Sequence, residues 1–359
     1  MNKNKYKVIV TGGAGFIGGT LIRKVLKEKD WIVYNLDNLG YASDLSWIKD
    51  SDDYNLRHFF LKVDLREKEK LENILKDIAP SLIIHLAAES HVDRSIDDPL
   101  NFIESNILGT FNLLEASRTY WNEISENKKK LFRFIHISTD EVFGTLGIDG
   151  KFDENTKYSP RSPYSSSKAS SDHLVQSWFH TYGLPTIITN CSNNFGPYQF
   201  PEKLIPLSIL KGIKGEEIPL YGDGLNIRDW LYVDDHVDAL LLVADKGKVG
   251  KRYCIGGFGE RTNKDVQLQI CNILDEVNPR EFLHADLIKN VADRPGHDKR
   301  YAINSNLLQK ELGWTPKITF ENGLKKTVNW YFNNLKWTNS VMHKSGYSGY
   351  RIGNANKIK

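Results

Sequence analysis

Thr139, Asp140 and Glu141 stand together at the polar end of an apolar run, FIHISTDEVFG over Phe134–Gly144. A hydroxyl beside two carboxyls is equipment for moving protons, one carboxyl as acid and the other as base, provided their surroundings push their pKa values apart. The plainer alternative is a turn cap in which Asp140 satisfies backbone N–H groups. Farther on, Tyr164 and Lys168 have the spacing YxxxK, which sets both on one face of a helix. Ser162 as N-cap and Pro163 at the first helical position give that helix a firm start. A tyrosine, with a pKa of about 10, is a poor base near neutrality. A nearby ammonium or other positive charge stabilises its phenolate and lowers that pKa.

These groups need elements that bring them together. Tyr6–Thr11 reads as a buried parallel strand and runs straight into Gly12, Gly15 and Gly18, followed by a helix to about Lys29. Such glycines allow a tight turn, close approach of a pyrophosphate and close helix packing, and the helix N-terminus binds the anion. A second strand, Trp31–Leu36, ends in Asp37 about 20 residues on, where a carboxylate accepts ribose hydroxyls and repels a 2′-phosphate, favouring NAD over NADP. Phe59–Val63 is a third strand with Asp64 and Leu65 at its end, where an adenine ring would be held. Leu82–Ala87 is a fourth. Ala87 and Ala88 there leave room for a cofactor, Ser90 can bond a ligand, and His91 reads as a structural loop histidine. A helix over about 101–120 leads back to the strand that carries Thr139. This alternation predicts an α/β fold with a doubly wound parallel sheet.

After a sixth strand, Thr186–Cys191, the pattern blurs and prolines gather, which predicts a second, smaller region over the sheet ends. It includes a helix near 203–211, the strand Ile218–Tyr221 and an aspartate-capped helix over 235–245. Arg228 reads either as a phosphate clamp or as the ion-pair partner of Asp229 or Asp223. Arg294 and His297 lie in a second cationic loop, and two arginine loops suit a diphosphate. The expected division is residues 1–191 for the NAD-binding domain, with 226–255 returning to it, 192–225 and 256–335 for a substrate-binding region, and a flexible tail over 336–359.

A net charge of +3 in 359 residues gives no reason to expect nucleic acid, and Lys128–Lys130 reads as a solvated loop. The three cysteines show no metal spacing, so no metal is expected. With no signal peptide and no apolar run of membrane-spanning length, a cytoplasmic protein without membrane association is expected.

Taken together, TGGAGFIG, HLAAESHVDRS, HISTDEVFG, SPYSSSKASSDH, CSNNFGPYQFPEKLIP, RDWLYVDDH and ADRPGHDKRYAI resemble the dTDP-glucose 4,6-dehydratase family of the extended short-chain dehydrogenase/reductase superfamily. The resemblance spans residues 6 to about 333 and implies a Rossmann-like fold, a tightly bound NAD and a homodimer built on helices 101–120 and 163–181. It implies that Tyr164, with Lys168 and Thr139, serves oxidation at the sugar C4, that Glu141 takes the C5 proton, and that Asp140 protonates the departing 6-hydroxyl. For the cofactor it adds Phe16, Ile17, Asn38, Ser105 (where the family often has threonine) and Asn194. For the nucleotide sugar it implies Ser90, Asn193, Lys203, Leu204, Pro219, Tyr221, Arg228, Asn263, Arg294 and His297. Gly40 departs from the family's usual threonine. A UDP- or CDP-glucose dehydratase would look the same in these motifs. An epimerase or decarboxylase of the superfamily would share Thr139, Tyr164 and Lys168 without needing both carboxylates. A non-catalytic NAD-binding regulator would be expected to have lost one of these groups.

Overall fold

Seven parallel strands form the central sheet of the computed structural model, which describes residues 6–46, 54–347 and 349. They are β1 (Lys7–Thr11), β2 (Ile32–Asp37), β3 (His58–Lys62), β4 (Leu82–His85), β5 (Arg133–Thr139), β6 (Thr186–Cys191) and, after three strands outside this sheet, β10 (Arg252–Ile255). Those three are β7 (Asn193–Phe195), β8 (Ile218–Tyr221) and β9 (Ile227–Tyr232), and the chain continues to β11 (Glu260–Thr262) and β12 (Ile288–Val291). The sheet order β10-β6-β5-β4-β1-β2-β3 reverses direction at β1 and β4, and the crevice beyond their carboxyl ends is where such sheets bind ligands.

The strands are apolar on both sides because both sides are covered. Val8 and Val10 of β1 pack with Leu21, Val25, Val237 and Leu240 of the helices Phe16–Glu28 and Val233–Lys246. Ile9, between them, points the other way and packs with Leu71, Leu113 and Val175 of the helices Lys68–Ile78, Gly109–Glu123 and Pro163–Tyr182. A smaller body lies over the strand ends, with sheets β11-β9-β7 and β12-β8. Its core includes Phe195, Ile209, Trp230, Val266 and Leu324.

Several expectations change. The helix after β4 is α-helical over Pro99–Phe102 and Gly109–Glu123 but a π turn over Ile103–Leu108. Asn106 holds this turn, accepting from Glu89 N–H and donating to the Glu89 carbonyl and Ser167 Oγ. No aspartate caps the helix Val233–Lys246; Asp235 instead accepts the backbone N–H groups of Lys317 and Ile318 at 3.0 and 2.9 Å. Within residues 226–255, β10 and the helix Val233–Lys246 pack with the main sheet, whereas β9 belongs to a small one. Lys128–Lys130 are helical, within Glu126–Leu131. The expected flexible tail is folded as far as it is described: Leu335–Ser345 is a helix, with Thr338, Val341 and Tyr347 buried. Trp337 packs on Tyr198 and Trp330, and its indole N–H donates to Asp44 at 3.0 Å. Residues 350–359 lie outside the described part.

Candidate active site

The first glycine turn is built for close approach. Gly12 has φ +72°, and a Cβ there would come within 2.6 Å of the Ala87 backbone; one on Gly18 would run into the Gly12 carbonyl. Gly15 is the N-cap of the helix Phe16–Glu28 and has no side chain to cap it, so the helix's first N–H groups face the cleft. Asp37, at the end of β2, accepts from Ala14 N–H at 3.0 Å, Leu39 N–H at 2.8 Å and Ser43 Oγ at 3.1 Å. Its carboxylate therefore braces the glycine turn and keeps acceptor capacity for a ribose.

One cleft of about 370 Å³ gathers Gly12, Gly15, Phe16, Ile17, Gly18, Asp37, Asn38, Asp64, Leu65, Ala87, Ala88, Ser105 and Asn194, together with Thr139, Asp140, Glu141, Tyr164 and Lys168. The residues fit a dinucleotide. Gly40 also lines it, and a Cβ there would meet nothing closer than Asn38 Oδ1 at 3.5 Å, so the departure from threonine is not forced by crowding. A second cleft of about 880 Å³ joins it, lined by Leu204, Pro219, Tyr221, Arg228, Asn263, Arg294 and His297. Ser90, Glu141, Asn193, Asn194 and Lys203 border both.

At the junction, β5 ends in a single 3₁₀ turn over Asp140–Phe143. Thr139, not Asp140, is its cap: Thr139 Oγ1 accepts the Glu141 N–H at 3.2 Å and donates to Asp140 Oδ1 at 3.3 Å. Asp140 is buried, and its Oδ2 has no hydrogen-bond partner. Burial, then the charges of Glu141 and Asp229, push its pKa well above the ordinary carboxylate range. Glu141 is also raised by burial, but Arg294, Arg228 and Lys203 oppose that. Both carboxyls are thus raised, Asp140 well above the ordinary range and Glu141 against the pull of three cations, so Asp140 is held more firmly as the neutral acid.

Tyr164 and Lys168 sit on the helix Pro163–Tyr182, started by Ser162, which accepts the Ser165 N–H at 3.0 Å in a capping box. Burial, reinforced by Glu141, raises the Tyr164 phenol well above its ordinary value, and a hydrogen bond with Thr139 opposes this. The expected lowering by Lys168 is therefore not what the protein alone produces. Lys168 Nζ donates to the Ile137 carbonyl at 2.8 Å, and burial lowers its own pKa.

Arg228 makes neither expected ion pair. It donates to the Ile227 and Asp298 carbonyls and lies 4.3 Å from the centre of the Tyr301 ring. Arg294 pairs with Asp93 at 3.3 Å, His297 with Asp293 at 2.6 Å, and Lys203 donates to the Ser90 carbonyl at 3.0 Å. His91 caps the helix Val92–Asp97, accepting from Arg94 N–H, in line with its structural reading. Sequence reasoning did not single out Cys191, Glu202, Tyr301 or Tyr347, which also line these clefts. Cys191, Glu202 and Tyr301 fall inside the quoted motifs; Tyr347 lies in the stretch read as tail and carried no signal.

A doubly wound sheet with its glycine turn at the switch point defines a dinucleotide-binding protein, and the helical tyrosine–lysine pair beside that cleft sets it among the short-chain dehydrogenases/reductases. The family described as GDP-mannose 4,6 dehydratase matches residues 9–327. The dTDP-glucose 4,6-dehydratase of Salmonella typhimurium is 51% identical over 95% of this chain and 96% of its own. That of Neisseria meningitidis is 50% identical over 97% and 99%. Among solved structures, dTDP-glucose 4,6-dehydratase from Bacillus anthracis in complex with NAD is 41% identical, with a TM-score of 0.83 over 94% of this chain and 99% of that one. UDP-glucose 4-epimerase from Thermus thermophilus, also with NAD, is 28% identical, with a TM-score of 0.80 over 91% and 99%. This chain belongs to the dTDP-glucose 4,6-dehydratase family.

Proposed function

We propose that this protein is an NAD-dependent hydro-lyase that converts dTDP-glucose to dTDP-4-keto-6-deoxyglucose. The observation that carries this reading is the pair Asp140 and Glu141, two adjacent carboxyls of one turn lining the cleft, where burial raises Asp140 well above the ordinary range while three cations oppose the rise of Glu141. An epimerase needs the tyrosine and lysine but has no use for such a pair. The curated relatives at about half identity are dehydratases, whereas the epimerase structure is 28% identical.

Gly12, Gly15, Gly18, Asp37, Asp64, Leu65 and Ser105 would hold the cofactor, with Lys168 and Asn194 at its reactive end. When bound, NAD supplies a hydride acceptor that later returns the hydride, and a positive ring beside Tyr164. Tyr164 takes the proton of the sugar 4-hydroxyl, and the Thr139 hydroxyl, within hydrogen-bond reach of the phenol, steadies the same oxygen. The C4 carbonyl so formed acidifies the C5 hydrogen, which Glu141 removes. Asp140, kept neutral by burial, protonates the departing 6-hydroxyl as water. Reprotonation at C5 and hydride return to C6 complete the product. Net oxidation is zero, so the cofactor stays bound.

Arg228, Arg294 and Lys203, which line the second cleft and act on Glu141, would take the diphosphate. Ser90, Asn193, Leu204, Pro219, Tyr221, Asn263 and His297 would complete the contacts to sugar and nucleotide. Thymidine as the nucleoside rests on the relatives. A homodimer fits the exposed Leu100, Ile103, Leu108 and Tyr182 on the two helices that the family pairs. No helix among the described residues is long and apolar enough to cross a membrane, and the family's small-molecule biosynthetic role suits the cytoplasm.

Purified protein, given the glucose diphosphates of thymidine, uridine, cytidine and guanosine in turn, tests the reading by proton NMR. A C6 methyl signal with loss of the C4 proton is expected with the thymidine compound. Silence with all four, with and without added NAD, would overturn it.

A further inference from the structure

Asp172 is a fully buried carboxyl that the reaction above does not use. It follows Lys168 by one turn of the same helix, so the two share a face, yet it does not line the cleft. Three elements converge on it. Tyr158, from the loop before the helix, donates to Oδ2; Asn190 Nδ2 of β6 reaches Oδ2 at 3.3 Å; His136 Nε2 of β5 lies 3.1 Å from Oδ1. His136 first, then Lys168 and Tyr158, hold its pKa below the ordinary value despite its burial, so it is charged. His136 itself is pushed down to about 4, chiefly by burial, and is neutral near pH 7. Burying a lone anion so thoroughly is costly unless a cation answers it.

The cation one turn back on the same buried helix is Lys168, bound to the Ile137 carbonyl, next in β5 to the His136 that meets Asp172. Its ammonium is buried too, and burial drives it toward the neutral amine; Asp172 is the carboxylate that opposes this, with a smaller contribution from Cys191 of β6. The rings that face the lysine from β4 and β5, His85 and His136, are both driven to the neutral form. Lys168 Nζ donates to the Ile137 carbonyl rather than to Asp172, so the carboxylate acts on it through space while Lys168 lines the cleft. Asn190, which clamps Asp172, also donates to the Thr139 carbonyl at 3.0 Å, tying the carboxylate to the end of the catalytic strand.

We propose that Asp172 is the built-in counter-charge of Lys168, a positioning residue that keeps the active-site ammonium charged without touching substrate or cofactor. This rests on the dehydrogenase reading of Tyr164 and Lys168, but not on which sugar nucleotide is bound.

The test is Asp172→Asn in the NAD-loaded enzyme, with the Lys168 ε-carbon followed by NMR of lysine-labelled protein. The Lys168 titration midpoint should fall by about one to two pH units, and the alkaline limb of the kcat profile should fall with it. An unchanged midpoint with activity lost equally at every pH would overturn the proposal and leave Asp172 a packing residue. Thermal stability of the cycle with Lys168→Met gives a second, activity-free reading. Asp172→Asn should cost much less stability in the Lys168→Met background, where no ammonium is left stranded, than beside Lys168. Equal cost in both backgrounds would contradict the pairing. Failure of the sugar-nucleotide assay with an intact Lys168 shift would count against the substrate alone.

Discussion

The Thr139 hydroxyl accepts the backbone N–H of Glu141 at 3.2 Å. One short turn thereby fixes the hydroxyl and both carboxyls in mutual register, with Asp140 between them and its outer oxygen unpartnered. The two neighbouring acids differ in their surroundings: cations oppose the rise of Glu141, whereas the charges of Glu141 and Asp229 reinforce that of Asp140.

Glu141→Gln should lower turnover by about 10²- to 10⁴-fold, the range for losing a general base. It should leave C4 oxidation partly intact, visible as transient reduced-cofactor absorbance in single turnover, while stopping exchange of the C5 hydrogen with solvent deuterium. Normal turnover by this variant would remove Glu141 from the role of base.

Tyr164→Phe should act earlier. With the phenol gone, C4 oxidation and overall turnover should both fall by about 10³-fold or more, and no reduced cofactor should build up. Stopped-flow absorbance distinguishes the two variants.

His58 is buried at the start of β3, and burial lowers its pKa to about 4. Below the ordinary histidine value of about 6.5, the unfolded chain takes up a proton that the folded chain refuses. The stability associated with His58 is thus full above about pH 6.5 and drains as pH falls toward 4. Between pH 7.5 and 5.5 the parent should lose about 1 kcal/mol more than His58→Gln, measured by urea unfolding.

Much of this architecture is legible locally. β1 and its glycines, Asp37 at the end of β2, and the helix started by Ser162 and Pro163 depend on neighbours in sequence, and pattern reveals them. What escapes depends on distant partners. The π turn at 103–108 is held by Asn106 against Glu89 and Ser167. The sequence predicts an aspartate cap for the helix over 235–245, but Asp235 accepts instead from a loop about 80 residues later. The polar stretch after Lys336 reads as tail because Trp337 and Tyr347 find Asp44 and Phe200 only in three dimensions. The cleft residues were individually legible through resemblance; that burial would raise Tyr164 was not, since it arises from the assembled site.

The folded C-terminal helix makes its own prediction. Trp337→Ala should destabilise the protein by about 1–3 kcal/mol, because a half-buried indole and its bond to Asp44 are lost. A thermal melt unchanged from the parent would show that the helix is dispensable.

Leu100→Glu with Leu108→Glu places two charges among the exposed apolar side chains proposed as the dimer face. Light scattering should report monomers where the parent gives dimers. An unaltered mass would place the dimer contact elsewhere.

The most direct test of the central claim follows one atom. Given dTDP-glucose deuterated at C4, the protein should return that deuterium to C6 of the same sugar, giving a monodeuterated methyl group in the 4-keto product. A methyl group without the label, or a 4-hydroxyl sugar with no methyl at all, would contradict internal hydride return and the dehydration built upon it.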